Sequence, residues 1–230
     1  MERLQEKLDF LLNKYSVDRK VTLKDGETAV IDGEKIPLLS HRAKRRYSEL
    51  KNIVTGGTLE GVSMMKSECI AERGEDVFDI LCREADIASF VLGRKIISIA
   101  AVQNENVLNA IAKTSDGVVI IFEIAASMKK GEEAKCKHEI TSRRGTASDI
   151  LVDAQLHQDS VYVFADENEK YTDVDFELYG LSESEAATVR AAFNLAKSNG
   201  FEENTKSYND AAIISGLAKK SVTTGEREVL

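Results

Sequence analysis

The chain has 230 residues, 43% of them hydrophobic, with 31 basic against 39 acidic side chains and a formal charge of −8. That apolar content is ample for a real core. The acidic balance argues against nucleic acid as the partner, because a phosphate-binding surface needs clustered Lys and Arg in excess. No run of apolar residues is long enough to cross a bilayer, and MERLQEKLDFLLNKYSVDR interleaves charges where a secretory leader needs an unbroken apolar centre. The expectation is a cytoplasmic protein with no membrane partner.

In chain order, Leu4, Leu8, Leu11, Leu12 and Tyr15 recur at helical spacing and form one apolar stripe on a charged helix. Residues 17–39 are short and irregular, with Gly26, Gly33 and the single proline, Pro37; TAVIDGEKIPLL reads as two brief strands about a turn. From Ser40 a second helix follows, with Ala43, Tyr47, Leu50 and Val54 on one side and Gly56-Gly57 past its end. GVSMMKSECIAE reads as a strand, and DVFDILCREADIASFVLG as a helix stopped by Gly93.

The middle of the chain then reads as β. KIISIAAVQ, VLNAIAKT, GVVIIFEIAAS, AKCKHEITSRRG, SDILVDAQ, SVYVFADE and YTDVDFELYG are separated by turn signals such as Ser115-Asp116-Gly117, Lys130-Gly131 and Asp166-Glu167-Asn168. Such short connections require antiparallel pairing, since a parallel crossover takes a dozen residues or more. Two helices close the chain: Ser182 with Glu185 forms a capping box for the first, which Gly200 ends, and Ser207 with Asp210 caps the second before Gly225. The expected class is α+β, a large and predominantly antiparallel meandering sheet with helices packed on one face. The expected division is an N-terminal helix with an irregular arm or hairpin over 1–39, and the α+β domain over 40–230.

Common catalytic signatures are missing. Gly56, Gly57 and Gly61 in GGTLEG follow a helix at the wrong spacing for dinucleotide binding, and there is no phosphate-binding loop, nucleophile elbow or H-E-x-x-H. Cys69, Cys82 and Cys136 are an odd count without paired ligand spacing, so they read as reduced buried thiols, with no disulfide or zinc site expected and Cys82 as a small core residue. His138 and His157, with Glu139 and Asp153 nearby, lack the tight spacing of a metal site. Asp79 and Arg83 stand four residues apart on one helix face, within reach of each other and followed by Asp86. An ion-paired carboxylate is a poor proton carrier near neutrality and arginine exchanges none, so the pair is not acid–base machinery. His41, Arg42, Lys44, Arg45 and Arg46 crowd the start of a helix, where they read as a solvated or acid-paired basic face, or else as an anion site. Arg143-Arg144-Gly145 reads as a turn.

The stretch HRAKRRYSELKNIVTGGTLEGVSMMKSECIAE, followed by DVFDILCREADIASFVLGRKIISIAAV and closed by SYNDAAIISGLAKKSVTTGEREVL, resembles the C-terminal substrate and oligomerisation domain of the Gfo/Idh/MocA oxidoreductases. The resemblance runs from about residue 35 to residue 230 and rests on the order of several short motifs. It implies a sheet whose open face packs on another subunit. Ahead of residue 35 there is no room for the family's nicotinamide-binding Rossmann domain, so no cofactor is expected. In the family's D-x-x-x-H motif the Asp matches Asp79, while the proton-shuttling His is replaced by Arg83. Glu34-Lys35-Ile36-Pro37 is similar to the family's Glu-Lys-Pro motif but lies too close to the following helix, so the catalytic Lys is not carried over.

Two readings follow. In the first, the chain is a non-catalytic binding and homo-oligomerisation protein, assembled through the open sheet face; in the second, it is the substrate-binding subunit of an NAD(P)-dependent sugar or polyol oxidoreductase, completed by a separate Rossmann-domain partner. No residue is assigned a catalytic role and none a metal. Asp79, Arg83, Arg45 and Arg46 are the candidate contacts for a sugar or sugar-acid ligand, with the arginines clamping a carboxylate.

Overall fold

The computed structural model describes residues 1–149, 177–178 and 180–230, and places two further strands, 160–164 and 168–172, by their backbone pairing. The expected turn at Asp166-Glu167-Asn168, His157, Asp153 and most of SDILVDAQ and YTDVDFELYG lie outside the described residues. The chain divides into two compact units, 1–48 with 174–209 and 49–173 with 210–230.

In the first unit, helix α1 (Glu2–Lys14) buries Leu4, Leu8, Leu11 and Leu12, the stripe expected from its spacing. Each such side chain contributes about 1.5–3 kcal/mol relative to exposure. Strands β1 (Val21–Leu23), β2 (Thr28–Ile31) and β3 (Glu34–Pro37) form a three-stranded antiparallel sheet. Asp32 and Gly33 join β2 to β3 with both φ angles positive, at 51° and 92°, as a two-residue hairpin turn of matching twist requires. Gln5 satisfies the free edge of β1: its amide Nε2 donates to the Val21 carbonyl at 2.9 Å and its Oε1 accepts from the Leu23 amide at 2.9 Å. Residues from this sheet and from α1 share one apolar core with Leu178, Val189, Ala192 and Leu195. Those last three belong to a helix, Glu183–Ser198, opened by the expected Ser182/Glu185 capping box.

Residues Ser40–Ala43 make one 3₁₀ turn, and α2 (Arg45–Thr55) begins after it, so the helix starts later than Ser40. In the second unit β4 (Met64–Glu72) leads into α3 (Val77–Leu92). The Asp76 side chain caps α3 by accepting from the Phe78 amide, and Gly93 ends it at φ 64°. Then β5 (Ile96–Asn104), β6 (Val107–Thr114) and β7 (Val119–Met128) form a meander, followed by β8 (Lys135–Ser142), β9 (Gly145–Ser148), β10 (Ser160–Phe164) and β11 (Asn168–Thr172). The helix Glu183–Ser198 is α4, α5 spans Phe201–Thr224, and β12 (Glu228–Val229) pairs with β5.

The large sheet has nine strands in the order β11-β10-β9-β8-β4-β7-β6-β5-β12. It is predominantly antiparallel, but β4 and β7 at its centre run parallel. The α3 crossover carries the chain from β4 to β5, and two antiparallel reversals bring β7 back to the direction of β5. Short connections therefore fix consecutive neighbours only, and this parallel pair is not consecutive. Residues alternate strictly: Met65, Ser67, Cys69 and Ala71 of β4 are covered, with Ile120, Phe122, Ile124 and Ala126 of β7. α3 packs over this face. The second half of α5 is tied into the unit by Ser215 Oγ, which donates to the Phe78 carbonyl at 2.7 Å, and by Ser221 Oγ, which accepts from the Ala101 amide at 2.9 Å. The expected cap at Ser207 and Asp210 falls inside α5; the helix starts at Phe201, directly after Asn199 has ended α4 in the left-handed conformation at φ 60°. Among the described residues no helix is long and apolar enough to cross a membrane.

Candidate functional site

Two pairs of directly opposed residues on β4 and β8, Ser67 with His138 and Cys69 with Cys136, lie next to each other on the sheet face beneath α3. Above them α3 presents Arg83 and Glu84. Glu84 occupies the apolar stripe of its helix, in line with Ile80, Ile87, Ala88 and Val91, and is fully buried. Its Oε2 accepts from Ser67 Oγ at 2.8 Å and lies 2.8 Å from His138 Nε2. On the other side of the imidazole, Nδ1 is 2.8 Å from Asp149 Oδ2, and the second oxygen of Asp149 accepts from the His138 amide. Ser148 Oγ donates to the His138 carbonyl at 2.9 Å, which holds the end of β9 against β8.

Burial alone would push the Glu84 carboxyl up, but the hydrogen bond and charge of His138, then Arg83 and Ser67, reverse this and hold it down at about 2. For His138, burial lowers the pKa, while the charge and hydrogen bond of Asp149, followed by Glu84, raise it to about 9. At neutral pH the ring is therefore an imidazolium that donates from both nitrogens to buried carboxylates. A group so firmly protonated is a poor general base near neutrality.

Arg83 closes the network at its more open end, with a third of its side chain (34%) exposed. Its Nε lies 3.3 Å from Glu84 Oε1, and its Nη2 lies 3.3 Å from Cys69 Sγ and 3.9 Å from Cys136 Sγ. The two cysteines are joined as a disulfide between strands, which corrects the expectation of three reduced thiols. Cys82 is free; burial first, then Asp86 and Asp79, push its thiol up to about 11. Cys69 Sγ, Cys136 Sγ and a Glu84 oxygen all lie within 4.8 Å of one another.

The residues singled out from sequence are not gathered into one cluster. Asp79 is exposed on α3 and no ion pair joins it to Arg83, which turns to Glu84 and the sulfurs instead. Arg45 and Arg46 belong to the other compact unit. There Arg46 lies over the Tyr47 ring at 4.8 Å with its Nε 3.9 Å from Glu183, and Lys44 pairs with Glu183 at 3.1 Å, so part of the basic run is matched by acid. His138 is met by Glu84 and Asp149, not by Glu139. Part of the buried set is legible in the sequence pattern: Glu84 interrupts an apolar helix stripe, and His138 alternates with Cys136 and Ile140 along its strand.

No protein-family model and no curated protein matches the chain. Solved structures do. An oxidoreductase from Agrobacterium radiobacter in complex with NAD+, L-tartaric acid and magnesium is similar at a TM-score of 0.64 and 15% identity, over 83% of this chain and 63% of its own. The chain shares its fold with part of this oxidoreductase. An oxidoreductase domain protein from Kribbella flavida gives a TM-score of 0.64 at 12% identity, and levoglucosan dehydrogenase with NADH and levoglucosan gives 0.63 at 14%, each over 83% of this chain and 64% of the other. The chain thus spans somewhat under two thirds of the length of these oxidoreductases, and its α+β architecture is the one the Gfo/Idh/MocA resemblance implies.

Proposed function

We propose that this chain is a cytoplasmic binding and assembly protein on an oxidoreductase substrate-domain fold, paired with a second copy through the open sheet face and carrying out no hydride transfer itself. The observation that carries this reading is the commitment of Arg83. At the position where the resembling family keeps a proton-shuttling His stands a guanidinium that exchanges no protons and is held by Glu84 and two sulfurs. The open face supports assembly: Val102, Ile111 and Val107 are 67%, 52% and 36% exposed on one side of two adjacent strands, interleaved with Asn109. A sugar or sugar acid is the ligand class in keeping with neighbours solved with levoglucosan, L-sorbose or L-tartaric acid. Asp79 and Arg83 are the side chains assigned to it.

Size-exclusion chromatography with light scattering, and a thermal-shift series with NADH and NADPH, test the reading. The expected result is twice the 25.4 kDa chain mass at micromolar concentration and no stabilisation by either nucleotide. Saturation by a nucleotide at a hundredfold excess over its dissociation constant would add about 2.7 kcal/mol, a clear rise in Tm, and would overturn the proposal. So would a monomer at these concentrations.

A further inference from the structure

We propose that Cys69 and Cys136 form a redox-active dithiol–disulfide centre that exchanges with small dithiols, with Arg83 holding the thiolate released on Cys69. This goes beyond the assembly reading: both use Arg83, but the centre proposed here is the Cys69–Cys136 pair, which that reading leaves without a role. The two sulfurs differ in access: Cys69 is fully buried and Cys136 is partly exposed, so an incoming thiolate meets Cys136 first. A thiolate left on a buried sulfur is costly unless a cation faces it. Arg83 Nη2 supplies one at 3.3 Å from Cys69 Sγ. The guanidinium is itself aimed, because its Nε is fixed on Glu84, and Glu84 is fixed by Ser67 and by the His138 ring, which Asp149 holds from behind. The buried network thereby gains a role as the mount for Arg83. Glu84 opposes a thiolate by its own charge, and the partners His138, Ser67 and Arg83 that engage it offset that opposition.

In the exchange, one thiolate of a dithiol attacks Cys136 Sγ. The Cys69–Cys136 bond breaks, a mixed disulfide forms on Cys136, and the electron pair leaves on Cys69 Sγ beside Arg83. The second thiol of the reductant, once deprotonated, attacks its partner sulfur in the mixed disulfide and closes the cyclic disulfide of the reductant. Cys136 departs with the second electron pair. Two electrons enter the protein; of the two protons of the dithiol, one ends on Cys136 and the other goes to water. Cys82, its thiol pushed up by burial, stays outside the cycle.

The test uses the full chain, with dithiothreitol as the dithiol and glutathione buffers of graded ratio. Thiols are trapped with iodoacetamide and read by intact mass and peptide mapping, with circular dichroism in parallel. Cys69 and Cys136 should convert together while the fold is kept, and Arg83→Gln should slow reduction by about tenfold, with Arg83→Lys restoring part of the rate. The proposal is overturned by thiols that stay reduced in the most oxidising buffer, by reduction that requires denaturant, or by an unchanged rate in R83Q. It is equally overturned if the reduced protein binds one zinc ion through Cys69, Cys136 and Glu84 firmly enough to block reoxidation. The wild-type titration decides whether the pair cycles even if R83Q does not fold.

Discussion

Glu84 stands where its helix would otherwise present a hydrophobic side chain, and everything around it answers that charge. Removing one member of a buried ion set leaves the others uncompensated, at a cost of about 3–5 kcal/mol, whereas an exposed charge costs little. Glu84→Gln should therefore lower the free energy of unfolding in urea by that amount, while Asp79→Ala on the exposed face of the same helix should change it by less than about 0.5 kcal/mol. Equal small effects from both would show that the network is not closed as described. The pH dependence follows from the same groups. His138 is raised from 6.5 to about 9, so its stabilisation is complete below 6.5 and is lost as pH climbs through 9. Glu84 is lowered from 4.5 to about 2, so its stabilisation is complete above 4.5 and is lost as pH falls through 2. These are two views of one ion pair and do not add. Stability should peak between about pH 4.5 and 6.5 and fall by about 2 kcal/mol from pH 6 to pH 8.5. A His138 ring proton that titrates near 6.5 by NMR would refute this.

Among the elements, α3 is the most legible in the sequence, since an Asp cap, an apolar stripe broken at Glu84 and a terminal Gly all agree on a helix. The Gly93 conformation has a measurable consequence. At φ 64° a side chain is strained, yet the nearest atom to an added Cβ is Thr55 Cγ2 at 3.8 Å, an ordinary contact. Gly93→Ala should thus cost only the left-handed backbone penalty, about 1–2 kcal/mol in urea unfolding, with no loss of fold; a loss several times larger would mean close packing at that turn. The start of α5 differs from the expected Ser207 cap for a physical reason. Ser207 and Asp210 have the residue types of a cap, but no helix begins there, because Asn199 turns the chain and Phe201 starts a new helix that runs through both. A local cap signal loses to a longer helix that is already nucleated. The disulfide was illegible for another reason. Its cysteines are 67 residues apart and meet only through the register of β4 against β8, which depends on β8 crossing to the far side of β4 instead of following β7. Glu84, by contrast, is legible in the sequence as a charge on an apolar helix stripe.

At the scale of the whole molecule, the proposed dimer would place a second copy on the open face of the nine-stranded sheet. Register places Ala100, Ile111 and Ile121 in one row across β5, β6 and β7, continued by Lys66 on β4. Lys66 pairs with Glu123 at 2.8 Å and Lys137 with Glu68 at 3.4 Å, so the apolar row is bordered by matched charges that set orientation more than affinity. A stable dimer buries roughly 800 Å² per partner, and its energy concentrates in a few central apolar residues. Ile111, 52% exposed, is such a residue, and its side chain contributes little to the core of its own chain. Ile111→Asp should accordingly shift the light-scattering mass from dimer to monomer at micromolar concentration and leave the unfolding free energy of the monomeric chain within about 1 kcal/mol. A dimer unchanged by the carboxylate would move the interface away from this face, because two copies meeting across a two-fold axis must each bury the substituted residue or neither does.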